Sequence, residues 1–259
     1  MANFWKLVNT VIKDSDILLM VMDSRFPNET RNRELEKKIL KENKRIIFVL
    51  NKCDLVTKDY IESFKKKIDN SVFVSCTKHF GSTKLLKKIL EFSRGGKPIV
   101  GVIGYPNVGK SSFINLLKGK KSASVSSVSG HTKGIQFIIA KGKIKLIDTP
   151  GVLSYTDDDM LKKILIGSVN PHQLKDPEIY AQEMINNYPE LISKCYNVII
   201  KKDDFEALDK IAIEKNIIKK GGEPDLKRIS VQILYDWQRG KIHTNKLEDE
   251  NKKYPDKDK

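Results

Sequence analysis

Three short motifs occur in an order that constrains how this chain must connect: Asn51-Lys52-Cys53-Asp54, then Gly104-Tyr-Pro-Asn-Val-Gly109-Lys110-Ser111, then Asp148-Thr-Pro-Gly151. The middle one lies between Lys97–Ile103, an apolar run that reads as a short buried strand, and Ser112–Leu117, which opens a helix. A glycine-rich turn between strand and helix offers backbone N–H groups and a positive helix end to phosphate. The expected phosphate contacts are Pro106, Asn107, Val108, Gly109, Lys110, Ser111 and Ser112. The Lys110 ammonium would reach the β- and γ-phosphates, and the Ser111 hydroxyl would ligate Mg²⁺.

The other two motifs choose the base and sense the phosphate. Asn51-Lys52-Cys53-Asp54 closes the apolar run Arg45–Leu50. The Asp54 carboxylate only accepts hydrogen bonds, so it suits the N1–H and N2–H₂ of guanine, whereas adenine offers it an acceptor. GTP is expected over ATP, with the Lys52 stem lying along the base. Ser75-Cys76-Thr77, directly after Val72–Val74, is the expected second base loop, its N–H groups facing the guanine O6. Asp148 closes Lys143–Ile147 and would hold Mg²⁺ through water, while the Gly151 N–H would meet the γ-phosphate. Between the phosphate loop and this strand, the polar stretch 126–134 has the composition of a switch, with Thr132 as candidate second Mg²⁺ ligand.

In the usual guanine-nucleotide domain the phosphate loop comes first, Asp-x-x-Gly second and Asn-Lys-x-Asp third. Here the base motifs lead, so the chain reads as such a domain cut and rejoined elsewhere. Apolar runs at 16–22, 45–50, 72–74, 98–103, 134–140 and 143–147 alternate with helical stretches. The predicted class is therefore α/β: a P-loop NTPase with a Rossmann-like, mostly parallel sheet. The permuted order frees the chain after Gly151 to leave the sheet for the C-terminal region. A small all-helical domain is expected there, from Leu208, Ile211 and Ala212 with Val198-Ile199 upstream and Ile217 downstream. The predicted divisions are a nucleotide domain 1–165, a helical domain 166–242 and a polar, disordered tail 243–259.

The sequence resembles the circularly permuted GTPases, and within them the YlqF/YawG branch of ribosome-assembly factors, particularly archaeal and nucleolar members. Asp23-Ser-Arg-Phe-Pro-Asn-Glu-Thr-Arg-Asn32 resembles that branch's Asp-Ala-Arg-x-Pro segment, with Ser24 in place of Ala. Ser129-Gly-His-Thr-Lys133 resembles its first switch, and Lys220-Gly-Gly-Glu-Pro-Asp225 and Asp236-Trp-Gln-Arg-Gly-Lys-Ile242 its C-terminal signature. The resemblance implies a GTP-hydrolysing factor that cycles between GTP and GDP on the large ribosomal subunit, meeting rRNA and ribosomal proteins. It also implies catalytic parts for Lys110, Thr132 and Gly151. The water-orienting Gln that many GTPases carry is replaced by Val152, and no His stands in residues 1–6, so slow intrinsic hydrolysis is expected. His131 is the one switch histidine that could assist. Asn107 resembles the K⁺ ligand of potassium-activated GTPases, making K⁺ a second expected cofactor beside Mg²⁺. A nucleotide-dependent RNA-binding scaffold with little hydrolysis is the alternative.

Charge points to partners. The net formal charge is +15, and it is unevenly spread: residues 1–153 hold 29 Lys and Arg against 13 Asp and Glu, while residues 154–259 hold 19 against 20. Clusters such as Lys65-Lys66-Lys67 and Lys84/Lys87/Lys88 suit RNA phosphate, although solvated Lys-rich helices give the same composition. Cys53, Cys76 and Cys195 lack zinc spacing and are odd in number, as expected of reduced thiols. Ile17–Met22 is too short to span a bilayer, so no membrane partner and a cytoplasmic location are expected.

Overall fold

The computed structural model describes residues 2–118, 137–140, 144–148 and 159–243, the side chains of 2–5, 137–140 and 148 excepted. The chain divides into two compact units, residues 1–157 and 158–259.

The first unit is a six-stranded sheet in the order β3-β2-β1-β4-β6-β5. Its strands are β1 (Ile17–Asp23), β2 (Arg45–Asn51), β3 (Ser71–Phe73), β4 (Ile99–Gly104), β5 (Phe137–Ala140) and β6 (Ile144–Asp148). All neighbours pair in parallel except β5 and β6, an antiparallel hairpin at the edge. Every residue of β1 is buried, as a central parallel strand covered on both faces requires, which explains its unbroken Ile-Leu-Leu-Met-Val-Met. Helix α1 (Ala2–Asp14) covers the sheet with Val8, Val11 and Ile12, and α2 (Arg33–Lys41) with Leu35 and Ile39. These spacings place the apolar side chains on one stripe. Burying each contributes roughly 1.5–3 kcal/mol before conformational entropy is subtracted. Asn32 caps α2 by accepting from the Leu35 N–H, and Thr57 caps α3 (Lys58–Lys65) by accepting from the Tyr60 N–H. Helix α4 (Ser82–Phe92) leads into β4, and α5 (Lys110–Lys118) begins where the glycine-rich loop ends.

The second unit is helical: α6 (Met160–Leu165), α7 (Pro177–Asn187), α8 (Pro189–Tyr196), α9 (Ala207–Glu214) and α10 (Leu226–Gln238). Pro177 and Pro189 open α7 and α8 at first helical positions, where the missing N–H costs nothing. Helix α10 is the hub. Trp237 lies 4.8 Å from Tyr188 ring to ring, and the Gln238 amide donates to the carbonyls of Ile164 and Val169. Asp236 accepts from the buried Tyr196 hydroxyl at 2.9 Å and pairs with Lys241 at 2.7 Å. Burial and then the Asp236 charge push the Tyr196 hydroxyl far above its ordinary pKa, so it stays a donor. The signature 236–242 thus closes the helical unit.

One expectation is corrected. Val198 and Ile199 do not join a helical stripe, because Asn197 adopts a left-handed conformation (φ 59°) that ends α8, and Ile199 is 86% exposed. Ile200 turns inward instead. The expected tail beyond His243 lies outside the described residues.

Candidate nucleotide site

Parallel pairing brings the chemistry to one edge of the sheet. Asp23 ends β1 opposite Asn51 of β2, Val21 pairs with Gly104 of β4, and Val102 pairs with Asp148 of β6. Ligands of open α/β sheets bind outside these carboxyl ends.

The phosphate loop follows β4 directly. The Lys110 side chain is buried and its ammonium donates to the carbonyls of Gly104 (3.0 Å) and Tyr105 (2.7 Å), so the cation lies within the loop. Asn51, on the neighbouring base motif, donates from Nδ2 to the Val108 carbonyl at 2.8 Å. This bond runs over Gly109, where an added Cβ would stand 2.3 Å from Asn51 Nδ2 and where φ is 96°. Only glycine fits both constraints. Asn107 is exposed with φ 57°, and Ser111 and Ser112 are exposed in the first turn of α5. Ser111, in the first turn of α5, and Asp148, the last residue of the β6 strand that pairs with β4, are residue types that carry hard oxygen donors, a set that fits Mg²⁺; the Asp148 side chain lies outside the described residues. Thr132, His131 and Gly151 lie outside the described residues.

The base loops sit one strand over. Lys52 adopts a left-handed conformation (φ 61°) that turns the chain into the 3-10 turn Cys53–Leu55, carrying the half-buried Asp54. The second base loop is closed by a two-way bridge between the backbones of Ser75 and Phe80, and the Ser75 hydroxyl accepts from the Lys78 N–H at 3.0 Å. Cys76 is half-buried and Thr77 exposed on that loop. Burial, reinforced by the Asp54 charge, pushes the Cys53 thiol up to about 12 and the Cys76 thiol up to about 11. Both are protonated at neutral pH and poor nucleophiles.

Asp23 anchors the site from below. Its fully buried carboxylate accepts from Arg25 Nε (3.0 Å) and a second guanidinium nitrogen (2.8 Å), and from the Lys52 ammonium (2.8 Å). Burial alone would raise the Asp23 pKa, but the Arg25 and Lys52 charges outweigh it and hold the carboxyl well below the usual range. Burial also depresses Lys52, with the Asp23 charge opposing. Thr30 Oγ1 accepts from the Asp23 N–H and donates to the Phe26 carbonyl, fixing the loop that presents Arg25.

A sequence profile described as RsgA GTPase matches residues 6–156, and one described as 50S ribosome-binding GTPase matches residues 99–220. An uncharacterized GTP-binding protein of Methanocaldococcus jannaschii is 43% identical over 254 residues, spanning 94% of this chain and 67% of that protein. The chain belongs to the circularly permuted ribosome-biogenesis GTPases. Nuclear/nucleolar GTPase 2 of Oryza sativa is 37% identical over 92% of this chain, which spans only 47% of that protein's length. Among solved structures, GNP-bound YlqF of T. maritima superposes with a TM-score of 0.68 at 25% identity, covering 93% of this chain and 95% of that one.

For a member of these permuted GTPases, motif reading alone misses Asp23 and Arg25 as parts of the site. Both sit in the segment that carries the family resemblance, yet the motifs assign them no chemistry. A carboxylate ending an otherwise apolar central strand is a usable signal, since a buried charge needs a partner. Which partner it finds depends on the Asp23–Asn51 register, a long-range fact.

Proposed function

We propose that this GTPase binds GTP in preference to ATP and uses its hydrolysis to time association with a maturing large ribosomal subunit, gripping rRNA in the GTP state. The observation that carries the nucleotide half is the Asn51–Val108 bond, which ties base recognition to the phosphate loop. Asp54 would accept from guanine N1–H and N2–H₂, and Lys52, steadied at Asp23, would lay its stem along the base. Lys110 would exchange loop carbonyls for phosphate oxygens. Mg²⁺, held by Ser111 and Asp148 with Thr132, would neutralise phosphate charge.

Hydrolysis is slow in this reading, because Val152 cannot orient water; K⁺ beside Asn107 would stabilise developing charge and the subunit would supply what is missing. The exposed Lys65, Lys66, Lys67, Lys84 and Lys87 suit rRNA phosphate. The names of relatives, nucleolar in yeast and plants, and the 50S description of one matching profile support the ribosomal half. Sedimentation with purified subunits tests it. Binding to large subunits is expected with a non-hydrolysable GTP analogue and not with GDP; equal binding in both states overturns the switch, and preference for small subunits overturns the target. Val152 favours one second reading, an RNA-binding scaffold with vestigial hydrolysis. Turnover that stays near zero in K⁺ with large subunits present would establish that reading instead.

A further inference from the structure

The turn between α9 and α10 contains the family-like stretch 220–225, of which the helical unit uses Asp225 to cap α10 and Gly222 to make the turn. Residues 217–225 double back as a short hairpin. The Asp225 N–H donates to the Ile217 carbonyl (2.9 Å), the Lys219 N–H to Glu223 (2.8 Å) and the Gly222 N–H to Lys219 (3.0 Å). Ile218 and Pro224 bridge antiparallel. Gly222, at φ 85°, fills the left-handed position that such a bulged hairpin demands.

Gly221 has no such reason. Its φ is not in the left-handed region, and a Cβ added there would meet nothing within 4 Å. The fold would accept alanine at 221, so nothing within the unit requires glycine there. Among the described residues, the N–H groups of Lys220 and Gly221 donate to no backbone carbonyl. Residues 218–223 are all exposed, and the exposed Lys215, Lys227 and Arg228 flank them. Three acids lie in the same stretch: Glu214, Glu223 and Asp225, the last occupied in capping α10 through the Arg228 N–H at 3.1 Å.

We propose that Lys219–Gly222 is an RNA-backbone contact, in which the two lysines flank a phosphate and the Lys220 and Gly221 N–H groups donate to its oxygens. The missing Cβ at Gly221 lets a phosphate approach that N–H more closely than a larger residue would. The stretch 213–228 carries no aromatic ring on which a base could stack, so the contact reads backbone and not sequence. The proposal rests on the rRNA reading above and adds to it a second attachment point, on the helical unit, whose net charge gives no hint of one.

The test uses the full chain with a non-hydrolysable GTP analogue and purified large-subunit rRNA in a filter-binding salt series. Replacing Lys219 and Lys220 by Ala should weaken binding about tenfold and flatten the log–log salt slope by roughly 0.9 for each phosphate that is no longer neutralised. Gly221→Ala should weaken binding about threefold with the slope, the melting temperature and GTP affinity unchanged. Wild-type affinity in both variants overturns the hairpin contact and leaves the rRNA reading standing. A wild type that ignores rRNA overturns both. A normal Gly221→Ala beside a weakened lysine variant overturns the N–H donation, and displacement of RNA by polyglutamate at equal charge assigns an acidic protein partner instead.

Discussion

Among the described residues, each unit buries one carboxylate paired with a cation, and the two are used differently. In the GTPase unit, Asp23 sits at a strand end with Arg25 and Lys52 on it, and Lys52 belongs to the base-recognition motif. In the helical unit, Asp236 is consumed internally, one oxygen by the Tyr196 hydroxyl and the other by Lys241. The first network opens toward the edge where parallel strands end and ligands enter; the second closes a bundle. Burial of a charge demands a partner in both cases. Topology decides whether that partner also faces a ligand.

The largest expected effect lies in base recognition. Asp54→Asn should lower GTP affinity by up to roughly 10⁴-fold and favour XTP, because a buried polar mismatch is left unpaired. Calorimetric titration checks this, and the melting temperature of the nucleotide-free protein should stay put. Retained GTP affinity would remove Asp54 from the site.

Asp23→Ala should reduce both stability and nucleotide affinity. It removes the buried carboxylate that Arg25 and the part-buried Lys52 share, destabilising the unit by about 3–5 kcal/mol and loosening Lys52 at the base. Denaturant unfolding and GTP titration are the measurements. If only stability falls, Asp23 is as internal as Asp236.

Tyr196→Phe should be the counterpart, costing about 1–3 kcal/mol because Asp236 is left without its hydroxyl donor, while GTP affinity is unchanged. A loss of nucleotide binding in this variant would break the contrast between the units.

Acid sensitivity should also report on the Asp23 network. The folded Asp23 pKa is depressed, so its contribution is fully present above the unfolded value of 3.8 and is lost only as pH falls below that value toward the folded one. The stability difference between wild type and Asp23→Asn, followed by denaturant unfolding, should therefore hold flat from pH 7 to about 5 and shrink below about 4.

The sequence by itself determined whatever local backbone chemistry dictates. A glycine-rich turn followed by Lys110-Ser111 admits little besides a phosphate loop, and an unbroken apolar β1 admits little besides a buried parallel strand. The permuted motif order implied the frame of the sheet. The helical class of the second unit was legible from its spacing, but its edges were not: Asn197 ends α8 by adopting positive φ, a choice that composition around Val198-Ile199 does not reveal. Tertiary structure alone decided the contacts between strands distant in sequence. Asn51 reaches Val108 across 57 residues and Lys52 reaches Asp23 across 29. Both contacts follow from strand register, which places side chains together only after the sheet has assembled. That is why the anchor of the site, Asp23, was visible as a letter and not as chemistry.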